Sequence, residues 1–446
     1  MAAIAQKSLF SWKTVERSPE ILRLKRVLDV LPDEPLVRAL EDERKGKRND
    51  YPIAALWNAI VAGIVFGHGK IASLIRELKR NAELREVCGF DPLLGERAVP
   101  PDWVCSRFCA KLLRHGRLIE GMFHGLVEEA GQLLPDLGED LAIDAKALLT
   151  YGRKDPEAAW GVKTYRGTKP DGSTYETVKK WFGYQLHLLI DARYELPIAY
   201  RVTPANESEI PYLMTLLEEV EEKHADLHKR ARTLAADRAY DNGRDKAALW
   251  DDREISPLID TRDCFTHTGG ERMRPLDPSR HDAIYYGPTS EVACKIDPFE
   301  VKEEKAFAAM QYMGFEKDRQ TLKFRCPAAA FGLECKNREA CAAPPLVRDG
   351  AFGRVVRVPL QTDRRLFFPA YRHSRTFRNG YKKRAAVERV FSRVDQVYGF
   401  ERHTIRGLAK MRMRVGLALV VMLATAVAWI RVGQTDKARS LLRAAA

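Results

Sequence analysis

The sequence predicts an α/β fold: a mixed sheet with flanking helices, entered through a helical N-terminal domain and interrupted by an irregular, β-rich insertion before its last helices. Apolar residues recur at helical spacing over residues 1–135. Over 136–260 the period shortens to that of strands alternating with short helices. A Pro-, Gly- and charge-rich stretch at 261–369 holds only short β-like pieces such as VVRVPL, and helical spacing returns over 370–446.

In the first region Pro52 stands where a helix can begin, Ile53–Phe66 follows it, and Gly67-His68-Gly69 breaks the run, with His68 as a turn residue. Ile71, Leu74, Ile75 and Leu78 mark one face of the next helix. Asp102 can cap a helix carrying Val104, Phe108 and Leu112. Ile119, Met122, Phe123, Leu126 and Val127 mark another, ending near Pro135. Lys70, Arg76, Lys79 and Arg80 add phosphate-directed charge, as a helix-turn-helix reader of DNA ends would need.

Leu141–Leu148 then reads as a strand, Tyr151–Lys180 as a long polar loop, and Gly183–Asp191 with Glu195–Pro204 as a hairpin. Ser208 begins a helix with Ile210, Leu213, Leu217 and Val220 on one side. Thr233–Ala236 is a strand, Asn242–Trp250 a helix and Ile255–Ile259 a strand, giving the order β-β-β-α-β-α-β. Past the insertion, helix resumes near Asn379 with a break at Gly399.

The formal charge of +13 favours a polyanionic partner. Most of it is local. Residues 371–412 hold twelve Lys and Arg against Glu388, Asp395 and Glu401, an imbalance that points to phosphate. The apolar runs Ile53–Phe66 and Val415–Ile430 fall short of the roughly 20 residues a bilayer asks for, so both read as core helices and no membrane partner is expected. The opening MAAIAQKSLFSW lacks the charged and apolar regions of a signal peptide, and with eight cysteines the chain reads as belonging to a reducing compartment.

Two strands raise a question. LAIDAKALLT and TLAADRAYDN each place an acid, Asp144 and Asp237, at or near the end of an apolar run. Strand ends in α/β sheets open onto ligand crevices, although an Asp there also serves as a turn former. Glu388, in YKKRAAVERVFSRVD, lies one residue off the apolar stripe Val387, Val390, Phe391 and Val394. At about 100° per residue that sets it at the rim of the packed face, with Tyr381, Arg384 and Asp395 on the same side. Three converging carboxylates repel unless a cation holds them, and all-oxygen ligation suits Mg²⁺ or Mn²⁺.

These residues resemble the DDE transposases of bacterial insertion sequences, which carry an RNase H-like catalytic domain. Asp237-Arg238-Ala239-Tyr240 is similar to the family's D-x-[GA]-[YF], and Tyr381-x2-Arg384-x3-Glu388 to its Y-x2-R-x3-E-x6-K signature. LAIDAK resembles the strand of the first acid, and GYQLHLLIDARYELPIAYRVTPAN the hairpin after it. The N-terminal stretch from RNDYPIAALWNAIV to PPDWVCSRF resembles the helical domain that precedes the core. The signature Lys is replaced by Asp395.

The resemblance implies that Asp144, Asp237 and Glu388 are catalytic and hold two Mg²⁺ ions, with Mn²⁺ able to substitute. It implies cleavage by water at the element's ends, then attack of the freed 3′-hydroxyl on target DNA. Tyr381 and Arg384 would bind phosphate, with Lys382, Lys383, Arg389 and Arg393 as further DNA contacts. The partners implied are double-stranded terminal inverted repeats and target DNA, bound by a homodimer in the bacterial cytoplasm and, with DNA, on the nucleoid. A catalytically inactive DNA-binding derivative and a nuclease that cuts without joining are the alternatives.

Cys326, Cys335 and Cys341 lie within sixteen residues. They read either as free thiols or as three ligands of a structural zinc, the fourth coming from Cys294, Cys264 or a histidine. Cys88, Cys105 and Cys109 read as core residues. His187 reads as a structural histidine before a site residue, and Trp160 and Trp181 as packing or base-stacking aromatics.

Overall fold

The computed structural model describes residues 18–44, 50–152, 154–168, 171, 173–262, 265, 273–279, 283–295, 307–332, 334–335, 337–339 and 341–439. Helices α1 (Pro19–Val30), α2 (Glu34–Asp42), α3 (Ile53–Val65), α4 (Ile71–Arg80), α5 (Ala82–Cys88), α6 (Asp102–Leu112) and α7 (Gly116–Leu133) come first. Their ends follow local chemistry: the Asn81 side chain accepts from Leu84 N at 3.0 Å to start α5, and left-handed Gly89 closes it.

The sheet is built from β1 (Asp140–Leu149), β2 (Ala159–Thr168), β3 (Thr174–Asp191) and β4 (Leu196–Pro204). Helices α8 (Ile210–Lys223) and α9 (Ala225–Arg230) then lead to β5 (Thr233–Ala236), α10 (Gly243–Asp251) and β6 (Ser256–Ile259). Strand β3 pairs antiparallel with β4 and β1, and β1 pairs parallel with β5, as β5 does with β6. The order β4-β3-β1-β5-β6 is a mixed sheet of the RNase H-like kind.

Residues 151–180, read from sequence as a loop, instead form β2 and the first half of β3, paired from Ala159↔Gly183 to Thr168↔Thr174. This ribbon runs past the core, and Trp160, Val162, Tyr175 and Val178 stay exposed along it. With neither face buried, its strands carry no apolar alternation for a sequence reading to find. Gly183 sits where β3 passes from β2 onto β1; a Cβ there would lie 2.2 Å from Leu148 O, so no larger residue fits. Helix α9 also escaped the sequence reading, being too short to show a period.

The insertion holds two small antiparallel sheets. One contains β7 (Arg274–Pro275), β8 (Ile284–Tyr286), β9 (Val292–Lys295) and β10 (Phe307–Ala309). The other contains β11 (Gln311–Glu316), β12 (Thr321–Arg325) and β13 (Val355–Pro359), with short helices α11 (Pro327–Phe331) and α12 (Pro345–Arg348) between the last two strands. Its core is separate from the main one. At the base, Lys246 Nζ, fully buried on α10, donates to Asp241 Oδ1 at 2.8 Å and to Arg365 O at 3.0 Å.

Helix α13 (Arg375–Tyr381) begins four residues earlier than expected and is followed by a 3₁₀ turn at Lys382–Arg384, α14 (Ala385–Gln396) and α15 (Leu408–Arg431). Gly380 lets α13 approach β6 closely, since a Cβ there would meet Leu258 Cδ1 at 2.5 Å. The apolar stripe Val387, Val390, Phe391 and Val394 is buried. Helix α15 spans 24 residues and is long and apolar enough to cross a membrane, so the length argument made on Val415–Ile430 does not hold. Its most apolar window is nevertheless 83% buried, packed against α7, α1, α3 and β4, which makes it the helix joining the N-terminal helices and the sheet into one core.

Candidate active site

The parallel register fixes the first two acids. Ile143 pairs with Ala236, the last residue of β5, so Asp144 and Asp237 follow side by side on strands about 4.8 Å apart. Asp144 does not end its strand, as expected from sequence; it is mid-way along β1, at the level where β5 stops. There the sheet opens beside it, and a 10-residue strand can present a polar side chain at its centre.

Asp144 is only 8% exposed. Its Oδ1 accepts from Ala145 N at 2.8 Å. Burial pushes its carboxyl up to about 6; Lys163 opposes that, while Glu209 and Asp237 add to it as like charges. Asp237 Oδ1 accepts from Arg238 N at 2.6 Å, which shapes the turn after β5.

The third acid arrives on α14. Glu388 is 55% exposed, and its Oε1 lies 2.8 Å from Arg384 Nη1, which is also 3.8 Å from Asp144 Oδ2. Asp237 acts on the same guanidinium through space, as does Tyr381. The ring of Tyr381 stacks on Phe377 and stands 5.9 Å from the Arg384 guanidinium. One cation is thus shared by acids from β1 and α14 and is coupled to the acid after β5.

Two carboxylates here carried no motif signal. Asp260 follows β6 at the level of Asp237, because Ala236 pairs with Ile259, and it is bound by Arg238 and Arg372. Glu209, just ahead of α8, is more informative. Its Oε1 accepts from Gln185 Nε2 at 2.6 Å and faces Lys163 Nζ at 3.4 Å, whereas its buried Oε2 has no hydrogen-bond partner. Glu209 acts more strongly on Asp144 than Asp237 does. It also helps hold the Tyr240 hydroxyl well above the usual tyrosine range, where burial is the main cause. Only the polar break before a helical run marks it in sequence.

A family model described as a transposase DDE domain matches residues 136–424. The chain belongs to this family. A comparison with curated proteins finds no match. As a DDE transposase domain, the protein is a transposase-type nuclease acting on DNA, in a family that uses divalent metal. The donors at the site fit such an ion: Asp144, Asp237 and Glu388 offer hard oxygens only, and the orphaned Glu209 Oε2 is an acceptor suited to a hydrated cation or water. Sharing an ion requires the three acids to move closer, for among the described residues they do not bring ligand atoms within 4.8 Å of one another.

The other residues singled out from sequence fall at varied places in the DDE domain. Lys382 is exposed, while Lys383 pairs with Asp140 at the start of β1. Arg389 and Arg393, expected on DNA, both turn to Glu195 in the β3–β4 turn, each at 2.6 Å, and Arg393 is buried there. The reason is helix phase: they lie on the side of α14 that meets the β3–β4 turn, away from Arg384. Asp395, at the signature's Lys position, is paired with Lys146 Nζ at 2.5 Å, so a cation from β1 stands beside it. His187 is fully buried, bonded to Thr203 Oγ1 at 3.0 Å and stacked on Tyr212. Trp181 Nε1 donates to Tyr184 O, and Trp160 stays exposed on the ribbon. Lys70, Arg76, Lys79 and Arg80 are exposed on or beside α4.

A second group, Glu120, His124 and Glu219, brings ligand atoms within 4.8 Å of one another between α7 and α8. Its charges are already matched. Lys223 Nζ lies 2.9 Å from Glu120 and 3.1 Å from His124, and Arg201 lies 2.9 Å from Glu219.

Proposed function

We propose that this transposase cuts DNA at the ends of an insertion sequence and joins the freed 3′-hydroxyl to target DNA, with Asp144, Asp237 and Glu388 as its catalytic, Mg²⁺-holding acids. The observation that supports this is Arg384: a single guanidinium contacts Asp144 and Glu388 and is coupled to Asp237. A cation in that place marks where divalent metal would be favoured once Arg384 swings out to a phosphate. When bound, a pair of such ions stabilises the attacking and leaving oxygens of an in-line displacement at phosphorus.

The chain's own residues do the rest. Asp144 must be ionised to serve, which its raised carboxyl makes a condition on pH. Arg384 moves from the acids to the DNA backbone, and Tyr381 and Lys382 lie beside it to bind the same strand. Glu209, with one buried oxygen left unpartnered, adds negative charge beside Asp144 and, through Lys163, keeps one positive charge near the acids. Arg389 and Arg393 are left out of the DNA surface because Glu195 holds both.

The test is incubation of the protein with its own flanking DNA and Mg²⁺, read for nicks and for joined products. Nicks with joined 3′ ends support the reading; nicks without joining reduce it to a nuclease, and binding alone to an inactive derivative. Asp237→Asn and Glu388→Gln are each expected to abolish cleavage and leave binding to end DNA in place. A variant that still nicks at the wild-type rate removes its residue from the set.

A further inference from the structure

The insertion carries thiols for which the nuclease chemistry has no use. Cys294 lies in β9 of one small sheet, and Cys326 directly follows β12 of the other. Cys335 and Cys341 lie on the segment between α11 and α12. Hydrogen bonds that involve none of the sulfurs join the segments of Cys294, Cys335 and Cys341, and one sets Cys326 beside Arg354, whose charge reaches Cys294. Asn337 Nδ2 donates to Lys295 O at 3.3 Å, linking the segment that carries Cys335 to the neighbour of Cys294. Arg338 N donates to Cys335 O at 3.3 Å and Cys341 N to Arg338 O at 3.4 Å, which folds those two residues into consecutive turns. Cys326 N donates to Arg354 O at 2.8 Å.

The electrostatics agree with that geometry. Burial pushes the Cys294 thiol up to about 11, and Cys341, Cys326 and Cys335 all act on it, with the Arg354 charge opposing. Arg338 in turn senses Cys335. Four thiols from three stretches of chain therefore share one neighbourhood, with two arginines at its edge.

Three states are open to such a group. Core packing suits Cys88 and Cys105, which are fully buried, but these four are each only half-buried. No disulfide joins them. The third state is metal. Structural zinc takes four ligands in a tetrahedron, and thiolate is its preferred donor. The insertion also has reason for a staple, since its strands are two to six residues long and its core is small.

We propose that Cys294, Cys326, Cys335 and Cys341 bind one structural zinc ion as four thiolates and tie the two small sheets of the insertion together. The thiols give up their protons on binding, and the net double negative charge of the filled site is offset by Arg354 and in part by Arg338, which also pairs with Asp349. Among the described residues no three of these sulfurs lie within 4.8 Å of one another. Ligation at about 2.3 Å per sulfur therefore has to pull the cluster inward, toward the side of Cys335 and Cys341 where Glu334, Arg338 and Glu339 are exposed. Cys264, the other cysteine considered as a fourth ligand, lies outside the described residues.

The experiment is metal analysis of the full-length protein, purified without chelator and desalted. The result expected is about one zinc per chain, falling at least tenfold in Cys294→Ser and in Cys341→Ser but unchanged in Cys109→Ser. Asp144→Asn and Asp237→Asn are expected to keep their zinc, which separates this site from the acidic one and makes the result independent of the proposed function. Should the serine variants fail to fold, Co²⁺ replacement in the unaltered chain gives the same answer through the intense thiolate-to-cobalt bands of a four-sulfur tetrahedron. Zinc below about a tenth of an equivalent, a full equivalent retained in Cys294→Ser, or disulfides found among these four residues would each overturn the proposal.

Discussion

Replacing Asp144 with Asn is expected to make the metal-free protein more stable at pH 8 while removing its hold on metal. The Asp144 carboxylate is nine-tenths buried, has one backbone donor, Ala145 N, and stands 3.8 Å from Arg384, beyond hydrogen-bond reach. Its carboxyl rises from an ordinary 3.8 to about 6, mainly through burial. The sign follows from proton counting. Between these two values the folded chain binds more protons than the unfolded one, so stability falls as pH rises through that window and stays low above it. The full displacement corresponds to about 3 kcal/mol at pH 8 and to about half of that at pH 5. Asn keeps an acceptor for Ala145 N and carries no charge, so it recovers most of this cost. The assay is the thermal midpoint of EDTA-treated wild type and variant at pH 5 and pH 8, repeated with Mn²⁺. The variant should unfold later, by more at pH 8 than at pH 5, and Mn²⁺ should raise the midpoint of the wild type only. A variant less stable than wild type at pH 8, or a gain independent of pH, would refute the reasoning.

Arg384→Ala should weaken DNA binding and reduce the salt slope by about one counterion, yet raise Mn²⁺ affinity in DNA-free protein severalfold by removing a competing cation. Anisotropy across a salt series and calorimetric Mn²⁺ titration check the two halves, and an unchanged slope counts against the phosphate role. Glu209→Gln keeps the acceptor for Gln185 but loses the anionic oxygen. It should weaken Mn²⁺ binding about tenfold at pH 8, as loss of an outer partner of a metal site does; unaltered affinity in the same titration removes Glu209 from the site. Arg393→Ala leaves Glu195 paired with Arg389 alone and should cost about 1.5–3 kcal/mol of stability, with DNA affinity per folded molecule intact. Lost DNA affinity at an unchanged thermal midpoint would place Arg393 on the DNA face after all.

Local pattern was enough to read most of the elements. Gly183–Asp191 and Thr233–Ala236 are buried on both faces and read as continuous apolar runs, whereas α14 buries one side and reads as a stripe at helical spacing. The β2–β3 ribbon buries neither face and left no such trace. Arg384, Arg389 and Arg393 look alike in a basic run, yet one meets the acids and two meet Glu195. Helix phase puts them on different sides of the helix, but that one side meets Glu195 depends on the tertiary path of β3 and β4, which no local pattern shows.

By itself, then, the order of residues determined an α/β chain with buried helices, a concentration of positive charge before its end, and acids at the points where apolar runs stop. The tertiary structure alone decided that β1 stands next to β5 in a register setting Asp144 beside Asp237, that Arg384 mediates between β1 and α14, and that Glu209 joins them with one buried oxygen left unpartnered. Periodicity reports which side of an element is covered, a property of neighbours in the chain. Which groups share one cation depends on strand order and crossing, and these bring together residues that no local pattern relates.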